Sequence, residues 1–266
     1  MMIWMDIRVS PMNEMEIRFY ALLTHLSRPY KSKTMIQYET FKNGDITLYL
    51  GDCLDVIPFL PTVGCVVTDP AYRVIGGGNT TGTRRTGGML TANDGKIFDH
   101  NDTDVNEWMP AVFNLMRDPS HAYIMTNFLN LQKMLNVGAK AGFKFHNLLT
   151  WNKNTVTPNR WYMKDLEYII FARKGAAFAI HNKSAKTSQP FPNPRNKIHP
   201  TQKPVELMEV FIANSTDEED IVLDPFMGVA TTGIAAMRLN ARFIGVEKDP
   251  KYFKLACEQI QKEPPQ

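Results

Sequence analysis

The chain has 266 residues, of which 44% are hydrophobic and 21% are charged, and its formal net charge at neutral pH is +3. This length and composition favour one large, soluble α/β domain, and so small a net charge does not by itself indicate a nucleic-acid partner. The three cysteines form no C-x-x-C pair, which argues against a disulfide framework or a zinc site. Acidic and basic residues interrupt the apolar N-terminus, so we predict neither a signal peptide nor a membrane span, and we expect a cytoplasmic protein.

The predicted elements alternate between strands and helices along the chain. Strands are predicted at 46–51, 64–69, 121–126, 145–152, 166–172, 220–224 and 241–249. Helices are predicted at 54–60, 105–116, 129–141, 204–214, 230–239 and 250–261. This alternation predicts a doubly wound, mainly parallel, Rossmann-like α/β sheet with helices on both faces. Ligands of such sheets bind at the carboxyl ends of the strands.

Acidic residues stand at or just after the ends of four predicted strands: Asp52, Asp69, Asp224 and Glu247. The turn "GVATTG" at 228–233 follows one of these strands and is a weak match to the dinucleotide-binding fingerprint. Its backbone N–H groups could approach a ligand closely, and a carboxylate at Glu247 could accept two hydrogen bonds from a ribose diol. The pattern favours a ribose-containing ligand at this edge of the sheet.

Two segments are candidates for contact with phosphate groups. The loop 73–90 contains six glycines together with Arg73, Arg84 and Arg85. The window 168–205 contains no acidic residue and is interrupted by several prolines. Its basic residues are Arg173, Lys174, Lys183, Lys186, Arg195, Lys197 and Lys203. A window of this kind is either a solvated surface or a phosphate-contacting one, and the sequence favours neither.

Four motifs, in order, carry a resemblance to a known family. They are "TDPAY" at 68–72, "HPTQKP" at 199–204, "DPFMGVATT" at 224–232 and "GVEKDPKYF" at 245–253. In this order they resemble the β class of the S-adenosylmethionine-dependent amino-methyltransferases of DNA, over roughly residues 46–261. The resemblance implies a Rossmann-like methyltransferase sheet, S-adenosylmethionine as cofactor, S-adenosylhomocysteine as product, no metal, and duplex DNA as partner in a bacterial or phage-infected bacterial cell.

The resemblance also implies a catalytic role for the first motif. The Asp69 carboxylate and the Pro70 carbonyl would each accept one N–H of an exocyclic amine, which turns the nitrogen lone pair toward the sulfonium methyl group. Tyr72 would stack on the base after it has been flipped out of the duplex. By the same resemblance an acidic first residue favours the N6 of adenine, whereas serine would favour the N4 of cytosine.

Seven residues are assigned to the cofactor by the resemblance: Asp52, Thr201, Lys203, Asp224, Phe226, Gly228 and Glu247. Glu247 would hold the ribose hydroxyls and Asp52 would face the adenine amino group. Thr201 and Lys203 would close over the methionine carboxylate, where a hydroxyl and a cation suit the charge. The remaining three would form the pocket for the methionine part.

Two positions depart from the family pattern, and two segments are assigned to DNA. Ala71 replaces the second proline of the tetrapeptide, and Ala230 stands where glycine is common. Insertions at about 73–100 and 173–200 are predicted to contact DNA. The contact residues would be Arg73, Arg84, Arg85, Lys183, Lys186, Arg195 and Lys197. Recognition is expected to be site-specific or loosely specific, as in a restriction-modification system.

Several alternatives stay open at this point. The protein could be an N4-cytosine methyltransferase, a non-catalytic DNA-binding relative, or a methyltransferase acting on RNA or a protein glutamine. A nicotinamide-dependent oxidoreductase would explain the glycine turn but not "DPAY". We interpret residues 1–34 as a dispensable appendage and residues 35–266 as the catalytic domain, present as a monomer or a homodimer.

Overall fold

A computed structural model describes residues 36–70, 103–157, 162–195, 197–199 and 201–264 of the chain. Three parts of the sequence prediction lie outside the described residues. They are the appendage at 1–34, Ala71 with Tyr72, and the whole insertion at about 73–100, which includes Arg73, Arg84 and Arg85. Within the described part, no helix is both long and apolar enough to cross a membrane.

Nine strands of the described chain form one sheet. They are β1 Gln37–Phe41, β2 Ile46–Leu50, β3 Val63–Thr68, β4 Met116–Thr126, β5 Lys144–Thr157, β6 Lys164–Lys174, β7 Ser188–Pro190, β8 Ile221–Asp224 and β9 Arg242–Glu247. Their spatial order is β1-β2-β9-β8-β3-β4-β6-β5-β7. The five central strands from β2 to β4 run parallel, which confirms the predicted doubly wound, mainly parallel sheet.

Helices connect these strands. They are α1 Cys53–Val56, α2 Val105–Leu115, α3 Phe128–Ala141, α4 Val205–Ser215, α5 Thr231–Arg238 and α6 Pro250–Lys262, with short 3₁₀ turns at Lys42–Gly44 and Ile57–Phe59. Side chains cap four of them by accepting a backbone N–H of the first turn: Asp52, Asp104, Asn127 and Asp249. Pro204 is the residue before α4, so that helix begins one residue later than predicted.

The edges of the sheet differ from the predicted pattern. β1 and β7 were not predicted, and β6 runs antiparallel between β4 and β5. β4 begins at Met116, five residues before the predicted start. The prediction missed this first part of the strand because the three residues after Met116 are exposed and are either charged or proline, so they show no apolar strand pattern. β7 was missed because it ends in the proline-rich stretch, which gives no apolar alternation.

Two apolar clusters lie on opposite faces of the sheet. Alternate residues of β3 supply both of them: Cys65 and Val67 face the cluster formed with α4 to α6, and Val66 faces the cluster formed with α1 to α3. All six residues of β3 are buried. The strand is therefore held from both faces, and its carboxyl end is a fixed point from which the next residues extend.

Candidate active site

The end of β3 presents Asp69 and Pro70 at the carboxyl edge of the sheet. Pro70 is buried and Asp69 is partly buried. The two oxygens of Asp69 have different surroundings. Oδ2 lies 2.7 Å from Lys203 Nζ, whereas Oδ1 is buried and has no hydrogen-bond partner among the described residues. A buried acceptor without a donor is costly, so Oδ1 is suited to accept a hydrogen bond from a ligand.

A second carboxylate lies behind this ion pair. Glu167 Oε1 is 2.5 Å from Lys153 Nζ. Glu167 Oε2 is 3.1 Å from Lys203 Nζ, an ion pair in which this buried oxygen accepts no hydrogen bond from the described residues. Trp151 supports both cations, with Lys203 5.9 Å and Lys153 5.2 Å from its ring centroid. The Trp151 indole donates to the Phe191 carbonyl at 2.7 Å, which fixes the ring. The site therefore holds two carboxylates and two ammonium groups in alternation.

Burial and neighbouring charges move the pKa values of these acids in opposite directions. Burial raises the pKa of Asp69; Lys203 opposes this shift, and the charge of Glu167 adds to it. Burial would also raise the pKa of Glu167, but Lys203 and Lys153 outweigh it and hold that pKa at about 2. Glu167 is thus a permanent anion at neutral pH, while Asp69 binds a proton more readily than an ordinary aspartate.

Asp224, at the end of β8, is a fully hydrogen-bonded buried carboxylate. It accepts hydrogen bonds from the hydroxyls of Thr68 and Thr232, each at 2.7 Å, and from the backbone N–H of Phe226 at 3.1 Å. Burial raises its pKa to about 6 against the effect of these donors. In the structure Asp224 joins two strand ends and the first turn of α5.

Glu247, at the end of β9, is bonded to the glycine turn. Its Oε2 accepts from the backbone N–H of Gly228 at 2.9 Å, and its Oε1 accepts from that of Asp249 at 2.7 Å. Gly228 has φ +55°, and a Cβ there would meet no atom within 4 Å, so the turn leaves open space for a ligand. Ala230 also has positive φ, at +61°, which is the conformation that glycine adopts without strain and explains the family's preference.

The other predicted cofactor residues lie along the same edge. Asp52 caps α1 through Leu54 N and pairs with Lys248 at 3.1 Å. Phe226 packs edge-on against Trp108, with ring centroids 5.2 Å apart. Thr201 bonds through its hydroxyl to His199 Nδ1 at 3.1 Å. Because β2, β3, β8 and β9 are parallel, all of these residues follow strand ends on one side or lie next to Lys203.

The basic residues of the window 168–205 lie in different parts of the structure. Lys174 donates to three carbonyls at the end of α2 and the start of β4, at 2.7–3.3 Å, and Lys203 contacts Asp69, so both have internal roles. Lys197 is exposed and bonds to Asn193, which in turn bonds to Thr155 near the end of β5. Lys197 therefore lies at the same edge of the sheet as Asp69.

Lys183 lies near the carboxyl end of α4. The backbone N–H of its neighbour Asn182 donates to Asn214 Oδ1 at 3.1 Å, at the carboxyl end of α4. Lys203 lies two residues before the first residue of α4, and an 11-residue helix is about 16 Å long. Lys186 is exposed just before β7, and Arg195 is exposed two residues before Lys197. Among the described residues, Lys183 therefore lies near the far end of α4 from Lys203.

Lys153 and Glu167 were not predicted as site residues from the sequence. A signal was present: Glu167 stands in the apolar strand sequence "LEYIIFA", where a carboxylate needs a buried partner. In the register of β5 and β6, Glu167 pairs directly with Trp151, so both side chains lie on one face, together with Lys153 two residues on.

Residues 63–258 match a family model described as DNA methylase, with the label N6_N4_Mtase. The chain is 27% identical to the type II methyltransferase M2.MboI of Moraxella bovis, covering 80% of this chain and 86% of that protein. It is 27% identical to M2.DpnII of Streptococcus pneumoniae, covering 90% and 94%. Among solved structures, a complex of M1.HpyAVI with SAM is similar with a TM-score of 0.62 and 26% identity, covering 80% and 99%. The PvuII cytosine-N4-specific DNA methyltransferase shares the fold, with a TM-score of 0.60 and 17% identity, covering 80% and 85%.

Proposed function

The chain belongs to the N6/N4 family of S-adenosylmethionine-dependent DNA amino-methyltransferases, and we propose that it methylates the exocyclic N6 of an adenine flipped out of duplex DNA. The observation that carries the proposal is the pair of oxygens on Asp69. One oxygen is held by Lys203, and the other is a buried acceptor without a donor among the described residues. An amine N–H is a donor that would satisfy it.

The geometry supports catalysis by orientation. The amine N–H donates to Asp69 Oδ1, and the second N–H donates to the Pro70 carbonyl. These two bonds draw the nitrogen toward tetrahedral geometry, so its lone pair points away from the ring. Asp69 also stabilises the positive charge that develops on nitrogen and can receive the proton that the nitrogen loses. Its raised pKa favours that acceptance.

The cofactor residues fit S-adenosylmethionine. When bound, this cofactor supplies an electrophilic methyl group, and nitrogen gains the bond that sulfur gives up. The open space at Gly228 admits a close approach to the backbone, and Glu247 retains acceptor capacity beyond its two backbone bonds. Lys203 has an ion pair with Asp69, so its assignment to the methionine carboxylate stays a prediction.

Adenine is proposed because Asp69 opens the tetrapeptide, and because this residue presents a carboxylate where cytosine enzymes of the family mostly have serine. For the DNA contacts, the structure supports Arg195 and Lys197 more than Lys183, since Lys197 is anchored beside the end of β5. The roles of Tyr72, Arg73, Arg84, Arg85 and Lys186 stay predictions.

Methyl transfer can be tested directly. Purified protein is incubated with isotopically labelled S-adenosylmethionine and unmethylated duplex DNA, and the DNA is digested to nucleosides that are separated by mass. Asp69→Ala is run in parallel, with the exposed Asp55→Ala as a matched control. We expect labelled N6-methyladenine in the wild type and in Asp55→Ala, and none in Asp69→Ala. Labelled N4-methylcytosine would overturn the base assignment, and unlabelled DNA with RNA or protein labelled would overturn DNA as the acceptor.

A further inference from the structure

The ion pair between Lys203 and Asp69 is held from its other side. Lys203 Nζ lies between two carboxylates, 2.7 Å from Asp69 Oδ2 and 3.1 Å from Glu167 Oε2. Its side chain is 8% exposed, so water does little to screen these contacts. A single carboxylate partner would leave the ammonium group freer to move, whereas the second carboxylate restrains its position.

Glu167 is itself fixed by its strand and by a second cation. It lies in β6 opposite Trp151, and Lys153 Nζ holds its other oxygen at 2.5 Å. Glu167 and Lys153 side chains are each 20% exposed. The contacts therefore form a continuous chain, from Lys153 to Glu167, from Glu167 to Lys203, and from Lys203 to Asp69.

From this arrangement we infer that Glu167 is a positioning residue for methyl transfer, which holds the Lys203 ammonium against Asp69 Oδ2 so that Oδ1 faces the substrate amine. Lys153 acts through Glu167. The inference rests on the proposed function, because it assigns a role around the same catalytic carboxylate. Glu167 is linked to Asp69 through its 3.1 Å ion pair with Lys203, and the proposed effect passes through that ammonium group.

The charge balance of the cluster supports the same role. Two ammonium groups and two carboxylates cancel, so the substrate amine meets no net positive charge from these four residues. Without the Glu167 charge, a net positive charge would stand beside the nitrogen that becomes positive during methyl transfer. A displaced Lys203 ammonium group and an unbalanced charge would both slow methyl transfer, while the cofactor pocket at Gly228 and Glu247 would be unchanged.

The experiment compares single-turnover methyl transfer to duplex DNA with the dissociation constant for S-adenosylmethionine in five proteins. These are wild type, Glu167→Gln, Lys153→Met, the double variant, and Glu209→Gln. Glu209 is a matched control because it also forms a half-buried ion pair, with Arg238 at 3.3 Å, on the middle of α4. Thermal unfolding of each variant identifies any loss of fold.

We expect Glu167→Gln to slow methyl transfer by about 10- to 100-fold, the range for a catalytic group displaced by about 1 Å, with the cofactor dissociation constant changed less than about threefold. Lys153→Met should slow the step less, and the double variant should be no slower than Glu167→Gln, because both act through one contact. Glu209→Gln should match wild type.

Three outcomes would overturn the inference. The first is a transfer rate in Glu167→Gln equal to that of wild type, and the second is multiplicative effects in the double variant. The third is a rate loss matched by an equal loss of cofactor affinity. If Glu167→Gln does not fold, the inference is tested by Lys153→Met. An unchanged rate of methyl transfer in that variant would contradict a role for the chain of contacts. Failure of the wild type itself to methylate DNA would instead overturn the proposed function, and this inference with it.

Discussion

The hydroxyl of Thr68 donates a 2.7 Å hydrogen bond to Asp224 Oδ1, which joins the last residue of β3 to the last residue of β8. Both side chains are almost fully buried. Asp69 follows Thr68 directly, so this bond fixes the point from which the proposed catalytic carboxylate extends. The bond therefore ties the strand that carries the proposed catalytic carboxylate, Asp69, to the strand that precedes the turn at Gly228.

Removing the Thr68 hydroxyl should destabilise the protein. Thr68→Val should lower the free energy of unfolding by about 1–3 kcal/mol, because it leaves the buried carboxylate short of a donor. Thr68→Ser keeps the hydroxyl and removes one methyl group, so its free energy of unfolding should fall by about 1 kcal/mol or less. Denaturant unfolding of both variants near pH 8 measures the difference. Equal losses would show that the methyl group, and not the hydrogen bond, stabilises this position.

The strand-end acids could be predicted from the sequence because apolar runs of a central parallel sheet are continuous and their ends are marked by Asp or Glu. Asp69, Asp224 and Glu247 all lie where that pattern places them. The antiparallel insertion of β6 could not be predicted in this way. Its apolar residues are like those of any buried strand. Such a run indicates neither the direction of the strand in the sheet nor the strands that it pairs with.

The charge cluster was hidden for a different reason. Lys153, Glu167 and Lys203 come from three separate segments, and only the pairing of β5 with β6 and the start of α4 bring them together. Charge counting placed Lys203 and Lys174 in one basic window, although one contacts Asp69 and the other caps α2. A count of basic residues records charge along the chain, but not which charges are already paired.

Gly64 is a second position where a small change should be costly. A Cβ at Gly64 would lie 2.5 Å from Cγ and Oδ1 of Asp220. Asp220 cannot withdraw easily, because Arg117 binds both of its oxygens, at 2.6 and 3.1 Å. Gly64→Ala should therefore lower the free energy of unfolding by about 1–3 kcal/mol. Gly51→Ala is the control, since its new methyl group would meet its nearest neighbour, Val56, at 3.4 Å. A similar loss in the two variants would refute the steric explanation.

Glu247 should make cofactor binding depend on pH. Burial raises its pKa to about 7, although the backbone N–H groups of Asp249 and Gly228 favour the charged form. The folded state then binds more protons than the unfolded state between about pH 4.5 and 7, so this carboxyl's contribution to stability falls as pH rises through that window.

Binding of ribose hydroxyls favours the ionised carboxylate, so affinity for S-adenosylmethionine should rise with pH. The dissociation constant should decrease by about tenfold between pH 6 and pH 8, following the ionised fraction of a group with pKa about 7. Titration calorimetry of wild type and Glu247→Gln separates this effect from other titrating groups. Glu247→Gln should bind more weakly with a flat profile, and an unchanged slope in that variant would assign the pH dependence to another group.

The two ends of α4 give a comparison for the DNA contacts. Lys197 and Arg195 are exposed near the edge that carries Asp69, whereas Lys183 lies beside Asn214 at the far end of the helix. Lys197→Ala and Arg195→Ala should each raise the KM for DNA several-fold and reduce the dependence of log affinity on log salt by about 1, because each removes one predicted phosphate contact. Lys183→Ala should change neither quantity, although it removes the same charge from the protein.

DNA titrations of the three variants at two salt concentrations test this comparison, with methylation of the bound DNA followed at saturation. Phosphate contacts position the duplex but take no part in methyl transfer, so the rate at saturating DNA should be equal in all three. If Lys183→Ala lost as much DNA affinity as Lys197→Ala, DNA binding would depend on the net charge of the protein and not on one edge of the sheet. Equal KM values for Lys197→Ala and wild type would place the DNA contacts outside this segment.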